Sequence, residues 1–273
     1  MNTLQAAVLG VVQGLTEFLP ISSTAHLRIV PALLGWGDPG AAFSAVIQLG
    51  TMLAVVAYFW RDIGRIAATW ARSLWTPALR GHLDARMGWY IGLGTIPIGV
   101  FGLAFRNQIE TGARDLRLLG VVLVVLGLLL LLAERLGTRV KEVRQVNLRD
   151  GLLVGLAQAL ALVPGVSRSG ATISAGLLLG YTREAAARYS FLLSIPAVVL
   201  SGLFELRKIG GAGAPGLLPT AVGTVLAFVV GYASIAWLLR FLTTHSTMLF
   251  VAYRVVVGGA VLALVYGGVL AAR

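Results

Sequence analysis

The chain has 273 residues, of which 58% are apolar and 12% are charged, about half the charged share of an average soluble domain. With a mean hydropathy of +0.87 it reads as a polytopic membrane protein, and since no soluble basic face exists its net charge of +11 excludes nucleic acid as a partner. Cysteine is absent, which excludes disulfides, thiolate metal sites and cysteine nucleophiles and leaves the redox compartment open.

The N-terminal Met-Asn-Thr-Leu-Gln-Ala has no basic region before its apolar stretch and no cleavage site of small residues, so it is read as retained. Residues 4–34 are apolar but interrupted near Pro20 by a polar string, Gln13-Gly-Leu-Thr-Glu17-Phe-Leu-Pro-Ile-Ser22-Ser23-Thr24-Ala-His26. Each half falls short of the roughly 20 residues that cross a hydrocarbon core, so the pair is expected to enter and return on one side as a re-entrant hairpin. Three crossings follow at about 41–60, 88–105 and 118–135. Residues 150–180 are interrupted in the same manner at Pro164-Gly165, within Pro164-Gly-Val-Ser167-Arg168-Ser169-Gly-Ala-Thr172, and three more crossings follow at about 188–206, 218–240 and 248–271. The expected fold is an all-α polytopic membrane protein with six transmembrane helices plus two re-entrant helical hairpins in two inverted-topology repeats.

Inversion follows because a half with three crossings ends on the side opposite its start. The repeats are placed at about 1–136 and 150–273, joined by a basic linker at about 137–149, in a single integral membrane domain. Short echoes agree: Phe43-Ser44 with Arg61-Asp-Ile63 recurs 146 residues on as Tyr189-Ser190 with Arg207-Lys-Ile209, and Gly94-Thr95 and Gly102 recur 129 residues on as Gly223-Thr224 and Gly231. Arg61, Arg65, Arg72, Arg80 and Arg86 in a loop at 61–87, Arg135, Arg139, Lys141, Arg144 and Arg149 in the loop at 135–149, and Arg183, Arg188 and Arg240 give one side 13 basic residues. Arg106, Arg114, Arg117, Arg207, Lys208 and Arg273 give the other six, so the first side is expected to be cytoplasmic and both termini and the site opening periplasmic.

Ionisable groups at membrane depth are costly and mark function. Gln13 and Glu17 stack one turn apart on a helix that Pro20 ends; Ser22, Ser23 and Thr24 can cap the next short helix, with His26 in its first turn. In the second string Pro164-Gly165 makes the turn, and Ser167, Ser169 and Thr172 surround Arg168 at the start of a helix running to about Leu179. A helix N-terminus with an arginine fork is an anion site, most naturally for phosphate. One string thus supplies acid–base and nucleophilic groups and the other phosphate recognition, which points to phosphoryl chemistry on a lipid-linked phosphate.

The two strings closely resemble the signature regions of the bacterial undecaprenyl-diphosphatases, also called bacitracin-resistance proteins. The resemblance extends along the whole chain, through its length, the order of its apolar segments and the later Tyr253-Arg254. It implies hydrolysis of undecaprenyl diphosphate to undecaprenyl phosphate and inorganic phosphate in the bacterial cytoplasmic (inner) membrane, which recycles the carrier lipid for peptidoglycan synthesis and confers bacitracin resistance. The implied partners are a polyprenyl diphosphate substrate and membrane lipids, with a homodimer as a candidate assembly. Ser22, Ser23, His26, Ser167, Arg168 and Thr172 fall on family active-site positions, Glu17 on the family's partner carboxylate, and Gln13 where members carry Glu or Gln. A divalent cation, Mg²⁺ or Ca²⁺, is implied as cofactor with Glu17 as a ligand; Gln13 in place of a second carboxylate weakens that metal role. Ala25 stands where the family pattern leads one to expect Gly, which adds a methyl group beside His26.

On this reading Arg168, with the backbone and hydroxyl donors of 167–172, clamps the terminal phosphoryl group. The nucleophile stays open between Ser23, His26 and a water, with Ser23 preferred and His26 as base or proton shuttle; Glu17 orients His26 or binds the cation. Substrate contacts are expected from Gln13, Ser22, Ser167, Ser169, Thr172 and Arg254, although Arg254 also suits a snorkelling role near its helix end. Gln48 and Gln158 read as packing residues, and isolated Ser or Thr in apolar helices more often bond their own backbone. Two rivals share these features: a flippase or transporter of polyprenyl phosphate on the same repeats, and an intramembrane serine peptidase that would leave Arg168 without a role.

Overall fold

The computed structural model describes residues 1–105, 115–205 and 216–272. Among them eleven α-helices form, α1 (Thr3–Phe18), α2 (Ser23–Leu33), α3 (Gly40–Tyr58), α4 (Trp60–Trp75), α5 (Leu83–Ala104), α6 (Leu116–Leu136), α7 (Leu148–Ala159), α8 (Arg168–Leu178), α9 (Arg183–Glu205), α10 (Leu217–Phe241) and α11 (Met248–Tyr266). Short 3-10 turns lie at Pro77–Leu79, Val143–Gln145 and Leu160–Leu162, and the described residues hold no strand beyond one isolated bridge between Lys141 and Tyr181. The protein is an all-α polytopic membrane protein. Helices α5, α6, α9, α10 and α11 are each long and apolar enough to cross a membrane, and α3 with α4 makes a sixth candidate bent by 69°.

The expected loop at 61–87 is corrected: most of it is helix. Ile63, Ile66 and Trp70 recur at helical spacing while Arg61, Arg65 and Arg72 fill positions between them, an amphipathic pattern that a search for unbroken apolar runs passes over. The crossing expected from residue 88 accordingly begins earlier, at Leu83, under a His82 cap, and the last one ends at Tyr266 before Gly267-Gly268. Arg106, Arg114, Arg207, Lys208 and Arg273, which enter the charge balance and the Arg207-Lys-Ile209 echo, lie outside the described residues.

Both interrupted segments are pairs of short helices. Asn2 and Gln5 cap each other's backbone N–H groups to start α1, which stops at Phe18 ahead of Pro20; α7 starts under Asn147 and breaks through a 3-10 turn into Pro164-Gly165, where Gly165 takes a φ of +90° that glycine adopts without a Cβ clash. Helices α1 and α3 pack on α10, α5 packs on α7 and α9, and α6 packs on α11. Backbones touch at two of these crossings: a Cβ on Gly10 would stand 2.3 Å from the Gly223 carbonyl oxygen, and one on Gly155 2.3 Å from that of Gly94.

Buried acids tie the helix ends. Glu134 accepts Arg183, Arg139 (2.9 Å) and the Thr247 hydroxyl (2.8 Å), joining α6, the 137–149 linker, α9 and the turn before α11. Asp150 accepts the Tyr181 hydroxyl at 2.5 Å; burial and this carboxylate push the Tyr181 phenol far above its ordinary range, so it stays a donor. An unpaired charge in these places would carry its full desolvation cost.

Candidate active site

The two helix breaks meet. Helix α2 begins at Ser23 with Ser22 as its cap, and α8 begins at Arg168 with Ser167 as its cap, and each cap hydroxyl accepts from a backbone N–H three residues on, Ala25 at 3.4 Å and Gly170 at 3.2 Å. Both cap residues sit at positive φ, 76° and 66°. Left-handed backbone at a non-glycine residue is strained, and strain of this kind is held only where the surroundings enforce it, often at functional sites.

The first residues of the two helices converge on one carboxylate. Glu17 Oε1 takes Nη2 of Arg168 in an ion pair, while Oε2 accepts the Ser23 hydroxyl at 2.6 Å and the Gln13 amide at 3.1 Å. The Glu17 side chain is 7% exposed and accepts from three donors, one of them cationic. Gln13 also donates to Thr51 of α3 at 3.3 Å, and its buried Oε1 has no hydrogen-bond partner among the described residues. Arg168 spends one terminal nitrogen on Glu17 and keeps the remainder of its fork beside the α8 N-terminus.

His26 stands apart from this cluster. Its Nδ1 lies 2.7 Å from the Ser22 carbonyl, which requires a proton on Nδ1, so Nε2 accepts the Tyr253 hydroxyl at 2.8 Å. The Tyr253 ring stacks on the imidazole at 5.5 Å. His26 is thus bonded to Ser22 and Tyr253 rather than to Glu17 or Ser23, the contacts expected from the sequence. A backbone carbonyl one turn back and a tyrosine from α11 occupy both ring nitrogens, and Glu17 is the group bonded to Ser23.

Arg254 is the largest fully buried side chain, 1% exposed, and it neither snorkels nor faces open space. Its guanidinium donates to the carbonyls of Pro20 (3.1 Å), Gly165 (3.3 Å) and Val166 (3.3 Å), and to Leu123 (3.2 Å) of α6. The carbonyls freed by the two breaks thus share one cation, as buried backbone groups need a partner inside the protein. Ser169 completes the join by donating to the Leu19 carbonyl at 3.1 Å, with Ser167 at 3.2 Å. Thr172 lies deeper, bonded to the Arg168 carbonyl (2.8 Å) and to Ser190 of α9 (2.5 Å).

Tyr253, Thr51 and Ser190 are the polar partners to which sequence reading gave no role in the site. A lone Tyr, Thr or Ser inside an apolar crossing carries no spacing signal; adjacency to Arg254 was the single hint for Tyr253. For a divalent cation, the described residues hold no group of three or more His, Cys, Asp or Glu, so no protein-only cage exists among them. One carboxylate with a neighbouring unpartnered amide oxygen does fit a hard cation shared with a substrate phosphate, since Mg²⁺ is commonly held by one or two carboxylates plus phosphate oxygens.

Fold and site together define a polytopic membrane protein in which two helix N-termini meet at one buried carboxylate. The chain belongs to the family described as Bacitracin resistance protein BacA, which matches residues 6–260. It is 61% identical over 273 residues to the undecaprenyl-diphosphatase of Nocardioides sp., covering 100% of both chains. It is 57% identical over 270 residues to the undecaprenyl-diphosphatase of Thermobifida fusca (99% of this chain, 92% of the relative). It is also 56% identical over 283 aligned positions to undecaprenyl-diphosphatase 2 of Frankia casuarinae (99% and 97%).

Proposed function

We propose that the protein is a membrane-embedded phosphatase that hydrolyses undecaprenyl diphosphate to undecaprenyl phosphate and inorganic phosphate in the bacterial inner membrane. Family membership supports the activity. The observation that carries the residue roles is the convergence of Ser23 and Arg168, each at the first position of its helix, on the single carboxylate of Glu17. Two helix N-termini, each favouring an anion, face one place, as a ligand with two linked phosphates requires.

In this mechanism Arg168 and the free N–H groups at the start of α8 hold the terminal phosphoryl oxygens and oppose the charge that grows on them. Glu17 accepts the proton of the attacking oxygen, from Ser23 itself or from a water that Ser23 positions. A bond forms from that oxygen to the terminal phosphorus as the bond from phosphorus to the bridging oxygen breaks, and undecaprenyl phosphate departs. If Ser23 attacks, water then cleaves the phosphoserine to release phosphate. His26, held by Tyr253, shuttles protons at the edge of the site. A divalent cation, when bound, would be held by Glu17 and the Gln13 amide oxygen with the diphosphate, and would neutralise phosphate charge.

The inverted repeat belongs to the same proposal. Gly10, Gln13 and Ser22 recur as Gly155, Gln158 and Ser167 at one constant offset, and the Gly10–Gly223 crossing of α1 with α10 has its counterpart in the Gly155–Gly94 crossing of α7 with α5. Charge balance supports placing both termini outside. A serine–carboxylate pair beside an arginine has no task in pure transport. Purified protein in detergent, given undecaprenyl diphosphate, is expected to release phosphate, and Glu17→Ala or Arg168→Ala to abolish release; no release by the native chain under any divalent-ion condition would overturn the proposal.

A further inference from the structure

Helix α4 leaves the direction of α3 at a 69° bend, and its inner side is fixed against α5. Ile66 is buried, Trp70 meets Trp89 edge-on at 5.5 Å, and Gly88 makes room where a Cβ would stand 2.7 Å from the Trp70 side chain. Arg65 is matched by Asp62 and Asp84, both at 3.0 Å.

The outer side has a different composition. Trp60 and Trp75, at the two ends of α4, are 62% and 79% exposed. Arg61, Arg72, Arg80 and Arg86 are exposed, and none forms an ion pair among the described residues. Where α4 passes into α5, a half-open surface cavity of about 430 Å³ is lined by Ser73, Leu74, Arg80 and Trp89. Arg80 is held at its wall by donation from Nε to the Ser73 carbonyl at 3.4 Å, which leaves both terminal nitrogens open. The neighbouring Trp70 indole N–H is buried without an acceptor among the described residues.

A helix with tryptophan at its ends and arginine on its outer side is suited to lie in the headgroup layer of a bilayer. If these arginines only set topology, they would need charge but no cavity. The cavity combines open cationic donors with an apolar wall from Leu74 and Trp89, which is the chemistry of a phosphodiester joined to acyl chains. We infer that α4 and the cavity at its C-terminal end form a docking site for an anionic phospholipid. Arg80 takes the phosphodiester, Arg72 adds charge beside Ser73, and the chains lie along Leu74 and Trp89. Net negative charge distinguishes this ligand from a zwitterionic lipid, whose own ammonium group would meet the same arginines. None of its residues belongs to the phosphatase centre.

The full chain, reconstituted in nanodiscs with equimolar phosphatidylglycerol and phosphatidylcholine and then gently stripped of lipid, tests the inference by native mass spectrometry of the lipids retained. The native protein is expected to retain phosphatidylglycerol preferentially. Arg80→Gln and Arg72→Gln should each cut that preference about fivefold, the worth of one cation beside an anionic surface, with the unfolding temperature unchanged. Free inorganic phosphate should not displace the lipid. Equal retention of the two lipids by the native protein, preference undiminished in Arg72→Gln/Arg80→Gln, or displacement by inorganic phosphate would each overturn the assignment.

Discussion

Arg254 and Pro20 stand 234 residues apart in the chain, yet the guanidinium Nη1 donates to the Pro20 carbonyl at 3.1 Å. The same side chain reaches Gly165 and Val166 in the second break, so α11 supplies the pin that joins the two helix breaks. A planar guanidinium spreads five donors over these carbonyls, whereas an ammonium offers three from a single point. Arg254→Lys is therefore expected to leave at least two buried carbonyls unmet, at about 1–3 kcal/mol each. Thermal unfolding of the purified variant should show the loss, and phosphate release should fall with it. An Arg254→Lys protein that melts with the native one would show the pin to be dispensable.

The Glu17–Arg168 pair separates stability from chemistry. Arg168→Gln strands a buried carboxylate, a cost of about 3–5 kcal/mol, whereas Glu17→Gln/Arg168→Gln removes both charges and should recover part of that loss. Phosphate release should fall in Glu17→Gln, in Arg168→Gln and in the double variant, by about 10²- to 10³-fold or more for Arg168→Gln alone, as for loss of one transition-state donor. The measurements are melting temperature and kcat across the cycle. A double variant less stable than either single one would contradict the pairing.

Ser23 and His26 are expected to diverge. Ser23→Ala removes the hydroxyl bonded to Glu17 and should reduce kcat by about 10²-fold or more, the scale of a lost proton-transfer partner. Near-native turnover would exclude Ser23 as nucleophile and leave a water in that role. Tyr253→Phe keeps the ring on the imidazole but removes one hydrogen bond, so kcat should fall only about five- to tenfold with KM little changed. His26→Ala should cost more than Tyr253→Phe, and equal losses would mean that the hydroxyl itself is the working group.

Much of this arrangement was legible in the sequence because polar groups inside apolar runs have few explanations. The strings around Glu17 and Arg168 announced the helix breaks, and Arg168 does stand at a helix start. What stayed hidden depends on distant packing. No spacing rule links Tyr253 to His26 or Thr51 to Gln13, and the choice of Glu17 over His26 as the partner of Ser23 depends on which ring nitrogen meets a carbonyl. Helix α4 was missed because its apolar residues recur rather than run together.

The glycines offer a contrast in one substitution type. Gly10→Ala drives a methyl group to 2.3 Å from the Gly223 carbonyl oxygen, so α1 must move off α10. Overpacking of that kind costs about 1–3 kcal/mol. Gly64, midway along α4, has nothing within 4 Å of a Cβ and lies in ordinary helical backbone. There Ala removes the entropic penalty of glycine and should stabilise by about 0.5–1 kcal/mol. Because α1 carries Glu17, Gly10→Ala should lower phosphate release together with melting temperature, while Gly64→Ala raises melting temperature and leaves release at the native rate. If both variants melted alike, the close approach of α1 and α10 would not be a determinant of the fold.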